Sequence, residues 1–163
     1  MRTTKSNDTM YEFPFRPVTE LFEEQVRRNP DKMAVITSKG SLSYDELNKK
    51  ANKVAHMLIA QGVKSETIIG VMLDRDTSVY VARQGILKSG GAFTSIDPDY
   101  PDDRIQYILE DSGAAFVITT EEIRDGHGKL WEELSCQVLL VEELLQNENT
   151  ENPNLTIQEK DLC

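Results

Sequence analysis

The sequence has little cysteine, a single tryptophan and no long apolar run. Cys136 and Cys163 are its two cysteines, and they lie too far apart in 163 residues to suggest a disulfide framework. We therefore expect two free thiols in a cytoplasmic protein. No apolar run approaches the length that spans a bilayer, and the polar N-terminus lacks the apolar core of a secretory signal. These absences argue against a disulfide-stapled scaffold and against a membrane partner.

Basic residues are also in the minority. The chain has 18 Lys and Arg against 28 Asp and Glu, which gives a formal net charge of −10 and a pI near 4.7. No Lys/Arg-rich run reverses this charge locally, so we expect neither a nucleic-acid nor an anionic-membrane partner. The apolar content of 39% and the charged content of 28% are ordinary for a globular protein. A chain of this length can form one domain with a real core.

The order of hydrophobic patterns predicts an α/β fold with a largely parallel sheet flanked by helices. The predicted strands are 33–37, 41–44, 68–73, 92–96, 114–119 and 137–141, and the predicted helices are 18–28, 43–62, 78–89 and 101–112. The strand at 68–73 is apolar throughout, which is typical of a strand covered on both faces. Strands that alternate with helices favour parallel pairing. We expect an acidic loop with one helical turn near Trp131 at 120–135, and a polar linker or surface excursion at 142–160.

Two helices have clear sequence signals. Residues 18–28 are amphipathic, with four apolar residues predicted to face inward: Val18, Leu21, Phe22 and Val26. Ser43 and Glu46 have the spacing of a capping box, in which each side chain satisfies a backbone N–H at the start of a helix. The helix that follows keeps one apolar face and ends at Gly62; that face consists of Leu47, Ala51, Val54, Ala55 and Leu58.

The central stretch reads ILKSGGAFTSIDPDYPDDRIQYILEDS, from Ile86 to Ser112. Gly90 and Gly91 end one helix, since glycine adopts the left-handed cap conformation without a Cβ clash. A short strand at 92–96 follows, and then a corner at 97–101 that Pro98 and Pro101 make rigid. Pro101 suits the first position of the next helix, whose first acidic residues complement the helix dipole.

This stretch resembles the second core motif of the amino-acid-activating adenylation domains of nonribosomal peptide synthetases, L-K-A-G-G-A-Y-V-P-I-D-P-x-Y-P-x-x-R-I. The matching residues are Leu87, Lys88, Gly90, Gly91, Ala92, Ile96, Asp97, Pro98, Tyr100, Pro101, Arg104 and Ile105. The chain departs from the motif at four positions, Ser89, Phe93, Thr94 and Ser95, the last two standing where the family usually has Val-Pro. The string from Leu42 to Asn48, L-S-Y-D-E-L-N, is similar to the first core motif, L-T-Y-x-E-L-N.

The resemblance implies that residues 13–163 are the N-terminal subdomain of an adenylation domain, truncated before its phosphate loop, with residues 1–12 as a disordered lead or linker. It implies ATP and Mg²⁺ as cofactors of the complete domain and none in this fragment. The activated amino acid would pass to the phosphopantetheine arm of a carrier domain. The implied partners are the remainder of the adenylation domain and the adjacent condensation and carrier domains. We expect no adenylation by this chain alone, because it lacks donors to stabilise charge at the α-phosphate.

No residue is therefore predicted to be catalytic, cofactor-binding or metal-binding. A structural role is predicted for seven residues of the core motif: Gly90, Gly91, Asp97, Pro98, Tyr100, Pro101 and Arg104. The glycine pair is read as a helix end rather than a phosphate contact. The four aspartates of the corner, Asp97, Asp99, Asp102 and Asp103, are read as corner and helix-start residues rather than as a metal site. Arg104 is expected to form a salt bridge or to clamp the backbone near the corner.

The remaining reactive or aromatic residues have plain interpretations. His56 is expected to be solvated or satisfied by one hydrogen bond, and His127 to lie in a flexible loop between two glycines. Cys136 heads an apolar strand, which favours burial over reactivity. Trp131 and the pair Phe13 and Phe15 are either interface anchors or part of the packing within the domain.

Two other functions stay open from the sequence. The chain is compatible with a free-standing, non-catalytic remnant that acts as an interaction module. It is also compatible with a fragment of an acyl- or D-alanine-activating ligase of the same superfamily. The amino-acid substrate is not named by these residues.

Overall fold

The computed structural model describes residues 15–157. In chain order, the helices and strands are α1 (Val18–Arg28), β1 (Met33–Thr37), β2 (Gly40–Ser43), α2 (Tyr44–Ala60), β3 (Ile68–Met72), α3 (Thr77–Lys88), β4 (Ala92–Ile96), α4 (Asp102–Ser112), β5 (Phe116–Thr119), α5 (Glu121–Gly126), α6 (Leu130–Glu133), β6 (Gln137–Leu140) and α7 (Val141–Leu144). The predictions for residues 1–12, Phe13 and Cys163 lie outside the described residues.

The central sheet has four strands in the order β4-β3-β5-β6, and every neighbouring pair is parallel. The predicted α/β class with a parallel sheet flanked by helices is confirmed. β1 and β2 pair antiparallel as the predicted hairpin and form a separate two-stranded sheet.

Side chains of the central strands alternate between two apolar cores, one on each face of the sheet. In β3, Ile69 and Val71 lie in the core that includes residues of α2 and α3. Met72 lies in the other core, with Ile105 and Leu109 of α4. Both faces of β3 are therefore covered, as its continuous apolar sequence predicts.

Helix α2 begins at the predicted capping box. The backbone N–H of Glu46 donates to Ser43 Oγ at 3.2 Å, and the backbone N–H of Ser43 donates to Glu46 Oε2 at 2.8 Å. α2 packs tightly against α3 at Gly85, where a methyl group would lie 2.5 Å from Cγ1 of Val54. The two helices approach this closely because residue 85 has no side chain.

The segment 120–135 is more regular than predicted. The helical turn predicted near Trp131 is α6, and α5 is a second short helix where only a loop is predicted. Thr120 starts α5 by accepting a hydrogen bond from the N–H of Ile123 at 3.1 Å, a capping signal that the sequence prediction overlooked. Leu130 anchors α6 because it is buried in the core on the α4 side of the sheet.

The segment after β6 packs on the domain, so within its described part the structure agrees with the surface excursion predicted for 142–160 and not with the alternative of a linker. Val141 and Leu144 of α7 are buried. The terminal segment (residues 147–157) then crosses α2, where the carbonyl of Thr150 accepts from Asn52 Nδ2 at 2.6 Å. The carbonyl of Glu151 lies 2.8 Å from Nε2 of His56. Side chains of α2 thus satisfy the backbone of an extended chain.

Helix α1 buries less of its apolar face than predicted. Val18 and Leu21 are 48% and 42% exposed, while Phe22 packs against the core. Thr19, which is 8% exposed, is the buried residue of α1. The helix therefore turns Thr19 and Phe22, not Val18 and Leu21, toward the domain. Within residues 15–157, no helix combines the length and apolar content required to cross a bilayer.

Candidate functional site

The corner at 97–101 joins β4 to α4 as predicted. Its backbone is held by a hydrogen bond from the Tyr100 N–H to the Asp97 carbonyl at 3.1 Å. The Asp97 side chain also accepts from the Asp99 N–H at 3.1 Å. Pro101 is the N-cap of α4 rather than its first residue, and its carbonyl accepts from the N–H of Ile105. The aspartate side chain is thus used to shape the turn.

His127 clamps this corner, which corrects its assignment to a flexible loop. It caps the C-terminus of α5. Its Nδ1 lies 2.6 Å from Asp102 Oδ1, and its Nε2 lies 3.0 Å from the Pro98 carbonyl. The ring also meets Trp131 edge-on at 6.5 Å, and the Trp131 indole N–H donates to the Arg124 carbonyl. Trp131 therefore packs within the domain.

Among the described residues, the Arg104 side chain forms neither the salt bridge nor the backbone clamp expected of it. Its side chain is exposed, and its guanidinium lies 5.5 Å from the ring centroid of Tyr107, one turn along α4. The ion pair at the corner joins Arg75 and Asp97 instead, at 3.6 Å. Arg75 is 96% exposed, so this pair contributes little to stability.

The predicted glycine pair ends α3 through two different properties. Gly90 has φ +83°, a left-handed conformation that an L side chain rarely adopts. At Gly91 a Cβ atom would lie 3.1 Å from the carbonyl oxygen of Thr67 and 3.2 Å from Val63. Gly90 permits the turn, and Gly91 lets the chain enter β4 beside the start of β3.

Two neighbouring cavities lie at the carboxyl ends of the central strands. The connection from β3 runs to β4 and that from β5 runs to β6, so the chain leaves these adjacent strands in opposite directions. Ligands of open α/β sheets bind at such switch points. Here the acidic crevice, with a volume of about 360 Å³, is lined by Lys39, Asp74, Asp76, Pro98, Asp99, Thr120, Glu122, Ile123, Gly126, His127 and Glu142.

Several polar side chains of this crevice are already engaged. Lys39 Nζ lies 2.5 Å from Asp74 Oδ2, and the hydrogen bond to Asp74 raises the pKa of Lys39. Asp76 caps α3 by accepting from the Ser78 N–H at 2.7 Å. A neighbouring cavity of about 540 Å³ shares Asp74, Pro98 and Asp99 and reaches Arg83 of α3.

This site does not fit ATP with Mg²⁺. The acidic crevice has five carboxyl side chains and one lysine, so it repels a polyphosphate. Among residues 15–157, no three His, Cys, Asp or Glu side chains are arranged to hold a metal ion. Arg83, which lines the neighbouring cavity, donates from Nη2 to Ser95 Oγ at 2.9 Å and lies over the Phe93 ring, while its buried Nε has no hydrogen-bond partner among residues 15–157.

Three other residues singled out in the sequence do not line the acidic crevice. His56 makes one hydrogen bond, to the Glu151 carbonyl, as expected of a satisfied histidine. Cys136 is half-buried, and this burial raises the pKa of its thiol. Phe15 is 47% exposed at the start of the described chain.

Residues 22–162 match the profile of the family described as AMP-binding enzyme. The chain belongs to this family. Residues of this chain are 47% identical over 112 positions to bacitracin synthase 3 of Bacillus licheniformis. They are 49% identical over 104 positions to gramicidin S synthase 2 of Brevibacillus brevis. These alignments cover 69% and 64% of this chain but only 2% of each synthase.

Solved structures agree with the family. The nonribosomal peptide synthetase FmoA3, bound to α-methyl-L-serine-AMP, superimposes with a TM-score of 0.86 at 32% identity over 95% of this chain and 17% of that chain. The N-terminal subdomain of Klebsiella oxytoca NpsA superimposes with a TM-score of 0.75 at 20% identity. That match covers 90% of this chain and 36% of the NpsA chain, and it concerns the fold alone. The fold is that of the N-terminal subdomain of nonribosomal peptide synthetase adenylation domains, which confirms the resemblance inferred from the two core motifs.

Proposed function

We propose that this chain is the N-terminal part of a domain that uses ATP and Mg²⁺ to convert an amino acid into an aminoacyl adenylate. The domain then loads that amino acid on the phosphopantetheine arm of a carrier domain during nonribosomal peptide synthesis. The match of residues 22–162 to AMP-binding enzymes supports adenylate formation. The high identity to bacitracin and gramicidin S synthases favours an amino acid as the substrate, rather than the acyl group or D-alanine of the alternative ligases.

In this proposal the described residues are a scaffold. They contribute the four-stranded sheet and the corner between β4 and α4. The groups that hold the nucleotide belong to other parts of the domain, since the acidic crevice opposes a polyphosphate. Six core-motif residues then act by shaping the backbone: Gly90, Gly91, Asp97, Pro98, Tyr100 and Pro101. Arg104 is not one of them, because its exposed guanidinium lies against Tyr107. The remainder of the adenylation domain and the adjacent condensation and carrier domains are its partners.

ATP–pyrophosphate exchange with a panel of amino acids tests the proposal. The 163-residue chain alone should give no exchange. A chimera in which this region replaces the aligned region of a bacitracin synthase 3 adenylation domain should exchange pyrophosphate with that domain's amino acid. Exchange by the chain alone would show that these residues handle the nucleotide. A folded but inactive chimera, together with a stable and monodisperse isolated chain, would favour the interaction module instead.

A further inference from the structure

Lys88, at the last position of α3, is a charged side chain inside the domain. Its side chain is 1% exposed. Its Nζ donates to the Glu23 carboxylate on α1 and to Asn152 Oδ1 in the terminal segment, the latter at 3.1 Å. It also lies 5.9 Å from the ring centroid of Phe22. Burial lowers the pKa of Lys88, and the hydrogen bond to Glu23 opposes that change.

Asn152 extends this contact into a network. Its Oδ1 accepts from three donors, since Asn48 Nδ2 at 3.1 Å and Asn52 Nδ2 at 2.9 Å point to it as well as Lys88. Asn48 and Asn52 lie on α2. One amide oxygen and one ammonium group therefore connect α1, α2, α3 and the terminal segment.

The network is better suited to fixing the relative positions of α1, α2, α3 and the terminal segment than to increasing the free energy of unfolding. The Oδ1 atoms of Asn48 and Asn52 are buried and have no hydrogen-bond partner among residues 15–157, and such orphaned acceptors cost free energy. A buried ion pair also repays little of its desolvation penalty. In α1 only Thr19 is buried, Phe22 is partly buried against the core, and Val18 and Leu21 are exposed. The buried contact between Lys88 and Glu23 therefore adds a polar attachment of α1 to the contact made by Phe22.

We propose that Lys88 is a positioning residue that couples α1 to the terminal segment, so that loosening either one loosens the other. Both acceptors fix the place of the same ammonium group. Loss of one acceptor therefore frees Nζ to move and weakens its bond to the other, and this coupling is reciprocal. The inference goes beyond the proposed function and does not depend on it.

Hydrogen exchange of the full chain, resolved by segment, tests the coupling. Lys88→Met should accelerate exchange roughly tenfold in both 18–28 and 147–157, a typical effect for directly coupled groups, while β3 and β5 keep their protection. Lys49→Met is the matched control. Lys49 also lies on a helix and pairs with Asp45, but its side chain is 55% exposed, so neither segment should respond.

Asn152 variants separate coupling from a local loss of contact. Among residues 15–157 Asn152 makes no hydrogen bond to α1, yet Asn152→Ala should accelerate exchange in 18–28 as well as in 147–157. Asn152→Asp keeps the acceptor oxygens and should keep the protection of both segments. Unchanged exchange of 18–28 in Asn152→Ala would overturn the proposal. A response of only one segment to Lys88→Met would overturn it too, and if that variant unfolds the chain, the Asn152 pair decides.

Discussion

Replacing Gly85 with alanine should destabilise the chain, because it places a methyl group where α2 and α3 touch. The added Cβ would lie 2.5 Å from Cγ1 and 2.6 Å from Cβ of Val54, and 3.0 Å from the carbonyl oxygen of Ala51. The last of these is a backbone atom, so a rotamer change cannot relieve the overlap. The two helices have to move apart, and the core between them loses contact.

The expected magnitude follows from two opposing terms. Overpacking a closely packed core costs about 1–3 kcal/mol, and contacts this short favour the upper end. Alanine gains about 1 kcal/mol over glycine within a helix. The net loss for Gly85→Ala should therefore be about 2 kcal/mol.

Urea unfolding of the full chain measures this loss. With a denaturant slope of about 2 kcal/mol/M, the midpoint should fall by about 1 M. Gly126→Ala is the matched control, because Gly126 is also helical and has no atom within 4 Å of an added Cβ. Val54→Ala should partly rescue the variant, since it removes Cγ1 but leaves Cβ and the Ala51 carbonyl. A Gly85→Ala chain as stable as the original would refute the close packing of the two helices.

Three further predictions concern other parts of the fold. Ser43→Ala should lower the urea midpoint by removing about 1 kcal/mol of capping at α2. His127→Ala should cost about 1–2 kcal/mol and shift the fluorescence of Trp131, the single tryptophan, because it removes the clamp on the corner. Cys136, in a Cys163→Ser background, should react slowly with a thiol reagent at about pH 8, because burial raises its thiol pKa and the thiolate is the reactive form. Because the pKa of this thiol is higher in the folded chain than in the unfolded chain, the free energy of unfolding should fall as the pH rises past the ordinary thiol pKa.

Each of these has a contradicting result. Ser41→Ala changes an exposed serine of β2 and should be neutral, so an equal loss in both serine variants would exclude capping as the cause. An unchanged Trp131 spectrum in His127→Ala would show that the two rings are not in contact. Labelling of Cys136 in the folded chain as fast as in urea would contradict its burial.

The features that the sequence predicted correctly depend on neighbouring residues. The capping box of α2, the doubly covered strand β3 and the corner between β4 and α4 each arise from a run of adjacent side chains and backbone preferences. The two core motifs indicated the right family for the same reason, since their residues are close in sequence. Such features can therefore be predicted without knowing which distant residues come into contact in the fold.

Contacts between residues that are distant in the sequence were decided only by the tertiary structure. His127 forms a hydrogen bond with Asp102, 25 positions away in the sequence. Lys88 forms one with Asn152, 64 positions away. From the sequence alone, His127 is a loop residue and Lys88 is a residue of the core motif. Gly85 marks a helix contact only because Val54 of another helix lies against it. Spacing along the chain does not reveal which polar groups from distant parts of the sequence will face each other after folding, because the packing of the two cores sets those distances.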